Sequence, residues 1–325
     1  MKLFKEEEIR EIVSINKIAI DIVEEGFTAL AHGNVTLPPI MRIDIPENNG
    51  EIDVKTAYIK GLDTFAIKIS SGFFNNSSLG LPSLSGMMIL FNTRTGITES
   101  ILLDNGYLTD VRTAAAGAVA AKHLAKEKID YVGVIGTGAQ ARYQIEALSK
   151  VRDFNTIYVY GRNEEAAKRY AIETETKLGK KVIVAKSAEQ VVKESEVVVT
   201  TTPSTTPLIQ AQWLHPGLHI TAMGSDAEHK QELDVKIFGQ VDLIACDVKS
   251  QVFRLGELHH AKEQNIIQND SSILEIGEIT AGLKNGREND QQITVCDLTG
   301  TGVQDTVIAR YAYDQLTTKN KEFQL

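Results

Sequence analysis

With 325 residues, the chain is long enough for about two domains, each with its own hydrophobic core. Hydrophobic residues make up 42% of it and charged residues 24%, a composition that excludes a fibrous or largely disordered protein. The formal net charge is -9 at pH 7, with no dense run of Lys or Arg, which disfavours nucleic acid and anionic membranes as partners and favours a small ligand.

The amino-terminal segment and the cysteines predict a cytoplasmic protein. The segment MKLFKEEEIREIV is acidic and lacks an apolar core, unlike a secretory signal or a mitochondrial presequence. No apolar stretch of the sequence approaches the roughly 18 residues that a membrane span needs. Cys246 and Cys296 are too few for a disulfide framework and lack zinc-motif spacing, and the adjacent His259 and His260 are predicted to point in different directions. We therefore expect no metal site.

The first third of the chain predicts helices followed by an antiparallel or mixed sheet. Apolar residues at three- and four-residue spacings predict one or two amphipathic helices between Glu6 and Leu30. Short runs such as MRIDI, DVKTAYI, TFAIKIS and GMMILFN then predict strands up to about Glu99. The Ala-rich segment DVRTAAAGAVAAKHLAK predicts a helix from Asp110 to Lys126 that leads into a second domain.

From Tyr131 onward, apolar strands alternate with helices, which is typical of a parallel sheet covered on both faces. The predicted strands are YVGVIG, TIYVYG, KVIVA, EVVVTTT, HITAMGS, VDLIACD and QITVCDL. We therefore predict an α/β fold with a doubly wound Rossmann domain at residues 119–302. Residues 1–118 and a carboxyl-terminal helix within 303–325, VQDTVIARYAYDQL, are predicted to form a second, α+β domain.

A glycine-rich turn follows the first of these strands and opens a helix, giving the pattern G-x-G-x-x-A. In this context the first glycine makes a tight turn, the second lets the backbone approach a pyrophosphate, and the alanine keeps the helix close to the sheet. The pattern predicts a dinucleotide site, and a purely structural turn is the alternative. The candidate residues here are Gly136, Thr137, Gly138, Ala139, Gln140 and Ala141, and later strand ends add Thr201, Thr202, Met223 and Gly224.

The end of the second Rossmann strand bears on the choice between NAD(H) and NADP(H). An acidic residue there would bind a ribose 2′-hydroxyl, whereas a cation would favour a 2′-phosphate. The sequence has Arg162 followed by Asn163, which favours NADP(H) slightly. If Arg162 stacks on the adenine or points into solvent, NAD(H) serves equally well.

Three cationic residues of the first domain are candidates for binding a substrate carboxylate. An oxidoreductase of amino or imino acids needs such cations, and an acid or base near the Cα substituent. Arg42 lies in PPIMRIDI, Lys68 in the apolar run FAIKIS, and Arg112 near the start of the Ala-rich helix. Lys68 either points to solvent from the polar face of its strand or is a buried functional group.

Asp226 follows the strand HITAMGS, so we expect it at the carboxyl end of a parallel strand, where ligands bind in such sheets. This position predicts an acid or base. The alternative is an ordinary N-cap of a following helix. His229 and Lys230 are expected close to Asp226, either beside the ligand crevice or on a solvated face.

Several of these segments together resemble the ornithine cyclodeaminase and mu-crystallin family over essentially the whole chain. They are PPIMR, IKIS, RTAA, GVIGTGAQA, MGSD and DLTGTGVQD, in this order. The resemblance implies a substrate-binding and dimerisation domain around a middle Rossmann domain, and a homodimer.

The resemblance also implies roles for individual residues. Arg42, Lys68 and Arg112 would bind the substrate carboxylate, and Asp226 would act as the acid or base. Thr113 would help to hold the pyrophosphate. The turn that contains Gly300, Gly302 and Val303 would lie against the nicotinamide. Arg162 departs from the family pattern, because the cyclodeaminases have an acidic residue after the second Rossmann strand.

The resemblance implies an NAD(P)H-dependent imine reductase or amino acid dehydrogenase. The stretches DVKTAYIKGL and LLDNGYLTDVRTAAAGA are most similar to the branch associated with ectoine breakdown and with reduction of iminosuccinate to aspartate. A dicarboxylic imine needs a second cationic clamp, for which Lys55, His229 and Lys230 are candidates. The alternatives are a cyclodeaminase that converts ornithine to proline and ammonia, and a mu-crystallin-like binding protein without catalysis.

Overall fold

The computed structural model describes residues 1–322, which form two compact units. Unit 1 contains Met1–Arg112 and the segment that begins at Thr301, and unit 2 contains Thr113–Gly300. The sequence placed the two boundaries slightly later along the chain, after residues 118 and 302. The first boundary falls within the Ala-rich helix, whose composition does not change at that point.

The strands and helices have the following bounds. The strands are β1 (Lys2–Lys5), β2 (Val35–Thr36), β3 (Met41–Ile45), β4 (Gly50–Ile59), β5 (Thr64–Phe73), β6 (Leu84–Asn92), β7 (Thr98–Leu103), β8 (Tyr131–Ile135), β9 (Thr156–Tyr160), β10 (Lys181–Val184), β11 (Val197–Thr200), β12 (Thr205–Ile209), β13 (His219–Ala222), β14 (Gln231–Leu233), β15 (Leu243–Cys246), β16 (Ile273–Glu275) and β17 (Thr294–Asp297). The helices are α1 (Glu6–Arg10), α2 (Lys17–Ala31), α3 (Tyr107–Leu124), α4 (Ala139–Leu148), α5 (Glu164–Leu178), α6 (Ala188–Glu194), α7 (Lys249–Leu255), α8 (Glu257–Glu263), α9 (Ile276–Thr280) and α10 (Gly302–Glu322).

Unit 1 is built on a mixed sheet with the strand order β1-β7-β6-β5-β4-β2, in which β3 also pairs with β4. The strands from β3 to β7 pair antiparallel with their neighbours, and β1 runs parallel to β7. This is the antiparallel or mixed sheet that the short alternating runs predicted.

Helix α10 packs closely on strands β4 and β5 of unit 1. The Thr306 hydroxyl donates to the Ala57 carbonyl at 2.8 Å and accepts from the Ala66 amide at 3.2 Å. At the start of the helix, a Cβ on Gly302 would lie 2.1 Å from the Thr56 carbonyl oxygen, so only glycine fits there. The helix therefore brings its first turn against the centre of the sheet.

Unit 2 is a doubly wound domain around a parallel sheet with the order β10-β9-β8-β11-β13-β17-β15-β16. Neighbouring strands pair parallel throughout this order, and apolar side chains of the sheet and of the helices form buried clusters. The predicted α/β fold with a Rossmann domain is confirmed. The strands that follow β8 are first added on one side of it (β9, β10) and then on the other (β11, β13). Ligands are expected at the carboxyl ends of β8 and β11, where the strand order changes direction.

In the part of the chain that the structure describes, none of the helices combines the length and the apolar character that crossing a membrane needs.

Candidate functional site

The glycine-rich turn of unit 2 has the geometry that dinucleotide binding requires. Gly136 has a φ of 122°, and a Cβ there would lie 2.3 Å from the Thr201 hydroxyl oxygen. Gly138 is the N-cap of α4, and a Cβ on it would meet nothing within 4 Å. Ala141 is fully buried against the sheet. The first and last positions are thus set by packing, whereas the space beside Gly138 is open for a ligand.

A pocket of about 380 Å³ lies at the carboxyl ends of β8, β9 and β11. Its walls include the glycine-rich turn and the segments that follow β9 and β11. The first turn of α4 adds backbone N–H groups without intrahelical partners, and these favour an anion such as a phosphate. The cofactor candidates predicted from the sequence that line this pocket are Gly136, Thr137, Gly138, Arg162, Asn163, Thr201 and Thr202.

Alanine substitutions at the two glycines are expected to separate folding from binding. Gly138→Ala should leave the thermal midpoint within a few degrees of wild type, because its Cβ has free space, and should weaken dinucleotide binding about tenfold or more. Gly136→Ala should lower the midpoint clearly, since its Cβ would collide with Thr201. Differential scanning fluorimetry and NADH titration test both, and unchanged NADH affinity in Gly138→Ala would contradict the assignment.

The end of β9 places Arg162 and Asn163 in different roles. Arg162 is exposed and lines the pocket. The side chain of Asn163 caps α5 by accepting from the Ala166 amide at 2.9 Å. A Cβ on Gly161 would lie 2.7 Å from the Thr137 methyl carbon, so the strand end and the glycine-rich turn are in close contact.

Three other cofactor candidates in unit 2 form hydrogen bonds through their backbone groups to side chains of neighbouring segments. The Thr113 carbonyl accepts from the Gln144 amide at 2.9 Å, which ties α3 to α4. The Gly224 amide donates to Glu232 at 2.8 Å, and the Gly300 amide donates to Asp247 at 2.7 Å. Met223 is half-buried at the end of β13.

Two of the cofactor candidates lie in unit 1: Gly302, which the sequence placed at the end of the Rossmann domain, and Val303, which it placed in the other domain. Gly302 packs on the backbone of β4, as described above. Val303 is fully buried and faces Gly26 of α2. Within unit 1, both residues therefore pack α10 onto its neighbours.

Unit 1 contains a buried cluster of cations around Asp305. Lys68 Nζ lies 3.4 Å from one carboxylate oxygen of Asp305, and Arg112 Nε lies 2.9 Å from the other. Lys55 stands directly opposite Lys68 in the β4–β5 pair. The three cations are each 5% exposed or less, and Asp305 is fully buried. Because like charges on opposite strand positions repel, such a cluster is a suitable site for a further anion.

The buried position of Lys68 rules out the solvent-facing alternative. Burial lowers the pKa of Lys68 to about 7, the neighbouring Arg112 and Lys55 cations act in the same direction, and Asp305 opposes the shift. Burial also raises the pKa of Asp104 to about 6, against the effect of its hydrogen bonds and of the nearby Lys68. A lysine that titrates near neutrality can bind an anion or exchange a proton.

Two buried polar groups at the start of α10 are candidates for hydrogen bonds to a ligand. The Gln304 side chain accepts from Arg112 at 2.8 Å. Among the described residues, its buried amide nitrogen and the buried Thr301 hydroxyl have no hydrogen-bond partner. A buried polar group without a partner is costly, and a bound ligand would supply the missing hydrogen bonds.

Arg42 lies on the same face of the sheet as Lys55 and Lys68, because it pairs with Asp53, two residues from Lys55. Its guanidinium contacts Glu51 and lies 2.9 Å from Asp44 and 3.8 Å from Asp53. Arg42 is thus surrounded by carboxylates, in contrast to the cation-rich cluster around Asp305.

Asp226 lies in an irregular loop, residues 223–230, between β13 and β14. The alternative that Asp226 caps a following helix is wrong, because no helix begins in this loop. The Lys230 ammonium contacts Asp226 at 2.6 Å, and its carbonyl accepts from the Ser225 hydroxyl at 2.7 Å, which closes the loop on itself. His229 is exposed, and Lys230 is buried.

The two adjacent histidines of α8 approach each other more closely than their sequence positions suggested. Their ring centroids are 5.2 Å apart, and ligand atoms of His259, His260 and Glu263 all lie within 4.8 Å of one another. His259 Nδ1 is 3.3 Å from the Phe253 carbonyl, and His260 Nε2 is 2.8 Å from the Lys230 carbonyl.

Sequence reasoning missed Asp305, although a signal for it exists. The apolar stripe of α10 continues from it through Ile308, Ala309, Ala312 and Leu316, all of them buried. Asp305 therefore occupies a core position of an amphipathic helix, where an acidic residue requires buried cationic partners.

The family model described as Ornithine cyclodeaminase/mu-crystallin family matches residues 2–320. A putative dehydrogenase of Rhizobium meliloti is 50% identical over 313 residues, which cover 96% of this chain and 95% of the relative.

Solved structures resemble the protein over nearly its full length. The Delta(1)-pyrroline-2-carboxylate reductase of Thermococcus litoralis, in complex with NADH and L-proline, is 29% identical with a TM-score of 0.93, covering 98% of both chains. An archaeal alanine dehydrogenase dimer with bound NAD is 34% identical with a TM-score of 0.91 (98% and 97% coverage). The iminosuccinate reductase of Paracoccus denitrificans, in complex with NAD+, is 27% identical with a TM-score of 0.90 (98% and 97% coverage).

Proposed function

The chain belongs to the ornithine cyclodeaminase/mu-crystallin family, and we propose that it is an NAD(P)H-dependent reductase of a small imino acid, with the amino acid dehydrogenase reaction as the reverse. The observation that carries the proposal is the buried cluster of Lys55, Lys68 and Arg112 around the Asp305 carboxylate. Such a cluster suits the carboxylate of an imino acid.

The residues of unit 2 fit a nicotinamide dinucleotide. The open space beside Gly138 and the N–H groups of the first turn of α4 suit the pyrophosphate, and the pocket of about 380 Å³ extends to the end of β9. The structural neighbours in complex with NADH, NAD and NAD+ support this assignment. We assign cofactor binding to Gly136–Ala141, Thr201 and Thr202, with Met223, Gly224 and Gly300 as further candidates.

The protein's own residues bind the substrate and supply the proton. A bound dihydronicotinamide provides the hydride for the substrate Cα. Lys68 and Arg112 donate charge-assisted hydrogen bonds to the carboxylate and thereby orient Cα. The Asp226 carboxylate takes up a proton from the Lys230 ammonium that it contacts and passes it to the imine nitrogen, so that one proton and one hydride convert the C=N bond to CH–NH. The 2.6 Å contact with Lys230 holds the Asp226 carboxyl group in place.

We propose that Arg162 allows the pocket to accept the 2′-phosphate of NADP(H). Arg162→Ala is then expected to weaken NADPH binding about five- to tenfold while leaving NADH binding nearly unchanged, because an exposed charge-assisted contact contributes about 1 kcal/mol. Fluorescence titration of both cofactors measures the ratio. Arg169→Ala, an exposed change on α5, is the control. Equal effects on NADH and NADPH would contradict the role.

We propose iminosuccinate as the substrate, with Lys55 as the clamp for its second carboxylate. Lys55 is buried and stands opposite Lys68 in the β4–β5 pair, whereas Lys230 lies in the loop of residues 223–230 and His229 is exposed. Lys55→Met should raise the KM for iminosuccinate about tenfold or more and change the KM for the imine of pyruvate much less. Steady-state kinetics with oxaloacetate or pyruvate plus ammonium measure both, with His229→Gln as the comparison variant. Equal changes for both substrates would exclude Lys55 as the clamp.

The proposed reductase and a cyclodeaminase differ in their products. Wild-type protein supplied with oxaloacetate, ammonium and NADH or NADPH should form aspartate. The same preparation supplied with ornithine and NAD should form no proline and release no ammonia. Proline and ammonia from ornithine, with no aspartate from oxaloacetate, would replace the proposal by a cyclodeaminase.

The archaeal alanine dehydrogenase dimer supports a homodimer for this chain as well. We expect light scattering coupled to gel filtration to give a mass of about twice the 35.7 kDa of the chain.

A further inference from the structure

Glu232 is a buried carboxylate on which hydrogen-bond donors from two strand ends converge. One of its oxygens accepts from the Thr202 amide at 2.6 Å and the Thr202 hydroxyl at 2.7 Å. The other accepts from the Thr200 hydroxyl at 2.6 Å and the Gly224 amide at 2.8 Å. The residue is fully buried in unit 2. Both oxygens thus receive a backbone N–H, a group that can only donate.

The donors come from β11 and β13, which are neighbours in the parallel sheet. Thr200 and Ala222 are paired at the carboxyl ends of these strands, and Thr202 and Gly224 each follow by two residues. Glu232 therefore joins the two segments at the sheet edge where ligands bind in this fold. The joint is tight, because a Cβ on Gly224 would lie 2.1 Å from the Thr202 carbonyl oxygen and 2.6 Å from the Glu232 carboxylate.

The backbone of Glu232 is hydrogen-bonded to a second buried acid, Glu257. Glu257 accepts from the backbone amides of Glu232 at 2.7 Å and Leu233 at 3.0 Å. Asp297, at the end of β17, accepts from the Leu258 amide at 2.9 Å. Burial raises the pKa of all three acids, to about 8 for Asp297. Of these acids, Glu232 is the one whose oxygens both accept two donors, an arrangement that suits the carboxylate form.

The segment that Glu232 binds through Thr202 lines the 380 Å³ pocket. Thr201 and Thr202 line this pocket together with the glycine-rich turn. The Thr201 hydroxyl is also the group that a Cβ on Gly136 would touch, so the position of β11's end determines the shape of the turn. Displacement of Thr202 would therefore alter the pocket on two sides.

We propose that Glu232 is a positioning residue for cofactor binding, which fixes the segments after β11 and β13 and so keeps the pocket in its binding shape. The proposal rests on the proposed function, since it takes a nicotinamide dinucleotide as the occupant of the pocket. Glu232 acts through Thr202 and Gly224 and does not itself contact the cofactor.

The test compares Glu232→Gln and Thr200→Val with wild type and with Glu228→Gln, an exposed control on the preceding loop. A glutamine presents an NH₂ group where one oxygen accepted a backbone N–H, so Glu232→Gln should raise the NADH Kd at least tenfold. Thr200→Val removes the hydroxyl that donates to Glu232 from a buried position outside the pocket wall, and should raise it about threefold. At saturating NADH, the KM for the imine should be unchanged in both, which a general loss of structure would not produce. Glu228→Gln should bind NADH as wild type does.

A folded Glu232→Gln variant, by circular dichroism, with wild-type NADH affinity would overturn the proposal. If Glu232→Gln does not fold, Thr200→Val decides, and an unchanged Kd there also overturns it. Wild-type protein that binds neither NADH nor NADPH would remove the proposed function, and this inference with it. Wild-type binding together with unaffected variants would remove the inference alone.

Discussion

Replacement of Lys68 by methionine is expected to lower kcat/KM for the imino acid about 10²- to 10⁴-fold. The substitution keeps an aliphatic side chain in the buried position on β5 but removes a cation of the cluster, leaving Asp305 with Arg112. Loss of one partner of a buried charge contact to the substrate typically costs about 2–5 kcal/mol. NADH affinity should stay within about threefold of wild type, because Lys68 lies in unit 1 and the pocket of unit 2 does not include it.

The exposed Lys60, just after β4, provides the matched control, since Lys60→Met removes the same charge from the surface. That variant should retain wild-type kinetics. Retention of full activity in Lys68→Met would exclude Lys68 as a substrate-binding group. Loss of NADH binding together with loss of activity would instead indicate a general structural defect.

The pH dependence of kcat/KM provides a second test of the role of Lys68. Because the pKa of Lys68 is lowered to about 7, the protein loses this cation as the pH rises above neutrality. The kcat/KM of wild-type protein should therefore fall above about pH 7. A bound carboxylate stabilises the protonated lysine, so kcat should fall only at higher pH. The descending limb near pH 7 should be absent from the residual activity of Lys68→Met.

Replacement of Asp226 by asparagine is expected to reduce kcat about 10²- to 10⁴-fold, the range typical of a lost general acid or base. Asparagine has nearly the same shape and can still accept a hydrogen bond from Lys230, so the loop of residues 223–230 should keep its conformation. The amide cannot release a proton to the imine nitrogen. NADH affinity and the thermal midpoint should change little.

The control for Asp226 is Glu228→Gln, an exposed carboxylate on the same loop, which should leave kcat unchanged. Stopped-flow measurement with saturating NADH and imine isolates the reduction step. A wild-type rate for that step in Asp226→Asn would mean that the proton comes from another donor.

The sequence predicted most of the fold because apolar periodicity and glycine positions report local structure directly. The strands of unit 2 follow their apolar runs, and the pattern G-x-G-x-x-A marks the turn where Gly136 adopts a positive φ. The antiparallel strands of unit 1 likewise follow their short alternating runs. These features depend on neighbouring residues, which the sequence displays.

The features that the sequence did not predict depend on contacts between distant residues. The sequence allowed Lys68 either to face solvent or to be buried. Its position depends on the pairing of β5 with β4 and on α10, which brings Asp305 beside it. The sequence also allowed Asp226 to cap a helix, but in the structure its carboxylate contacts the Lys230 ammonium within an irregular loop. Glu232 sits in a short strand with no distinguishing pattern, and its donors come from Thr200, Thr202 and Gly224.

The central claim is that the protein moves a hydride between the nicotinamide cofactor and the substrate Cα with net turnover of the cofactor. The most direct test supplies NADH or NADPH, deuterated at the transferable position of the nicotinamide, together with oxaloacetate and ammonium. We expect one cofactor oxidised per aspartate formed, followed at 340 nm, and deuterium at Cα of the aspartate by mass spectrometry. Aspartate without deuterium would contradict hydride transfer to Cα, and conversion of ornithine to proline with no net change at 340 nm would contradict net turnover of the cofactor.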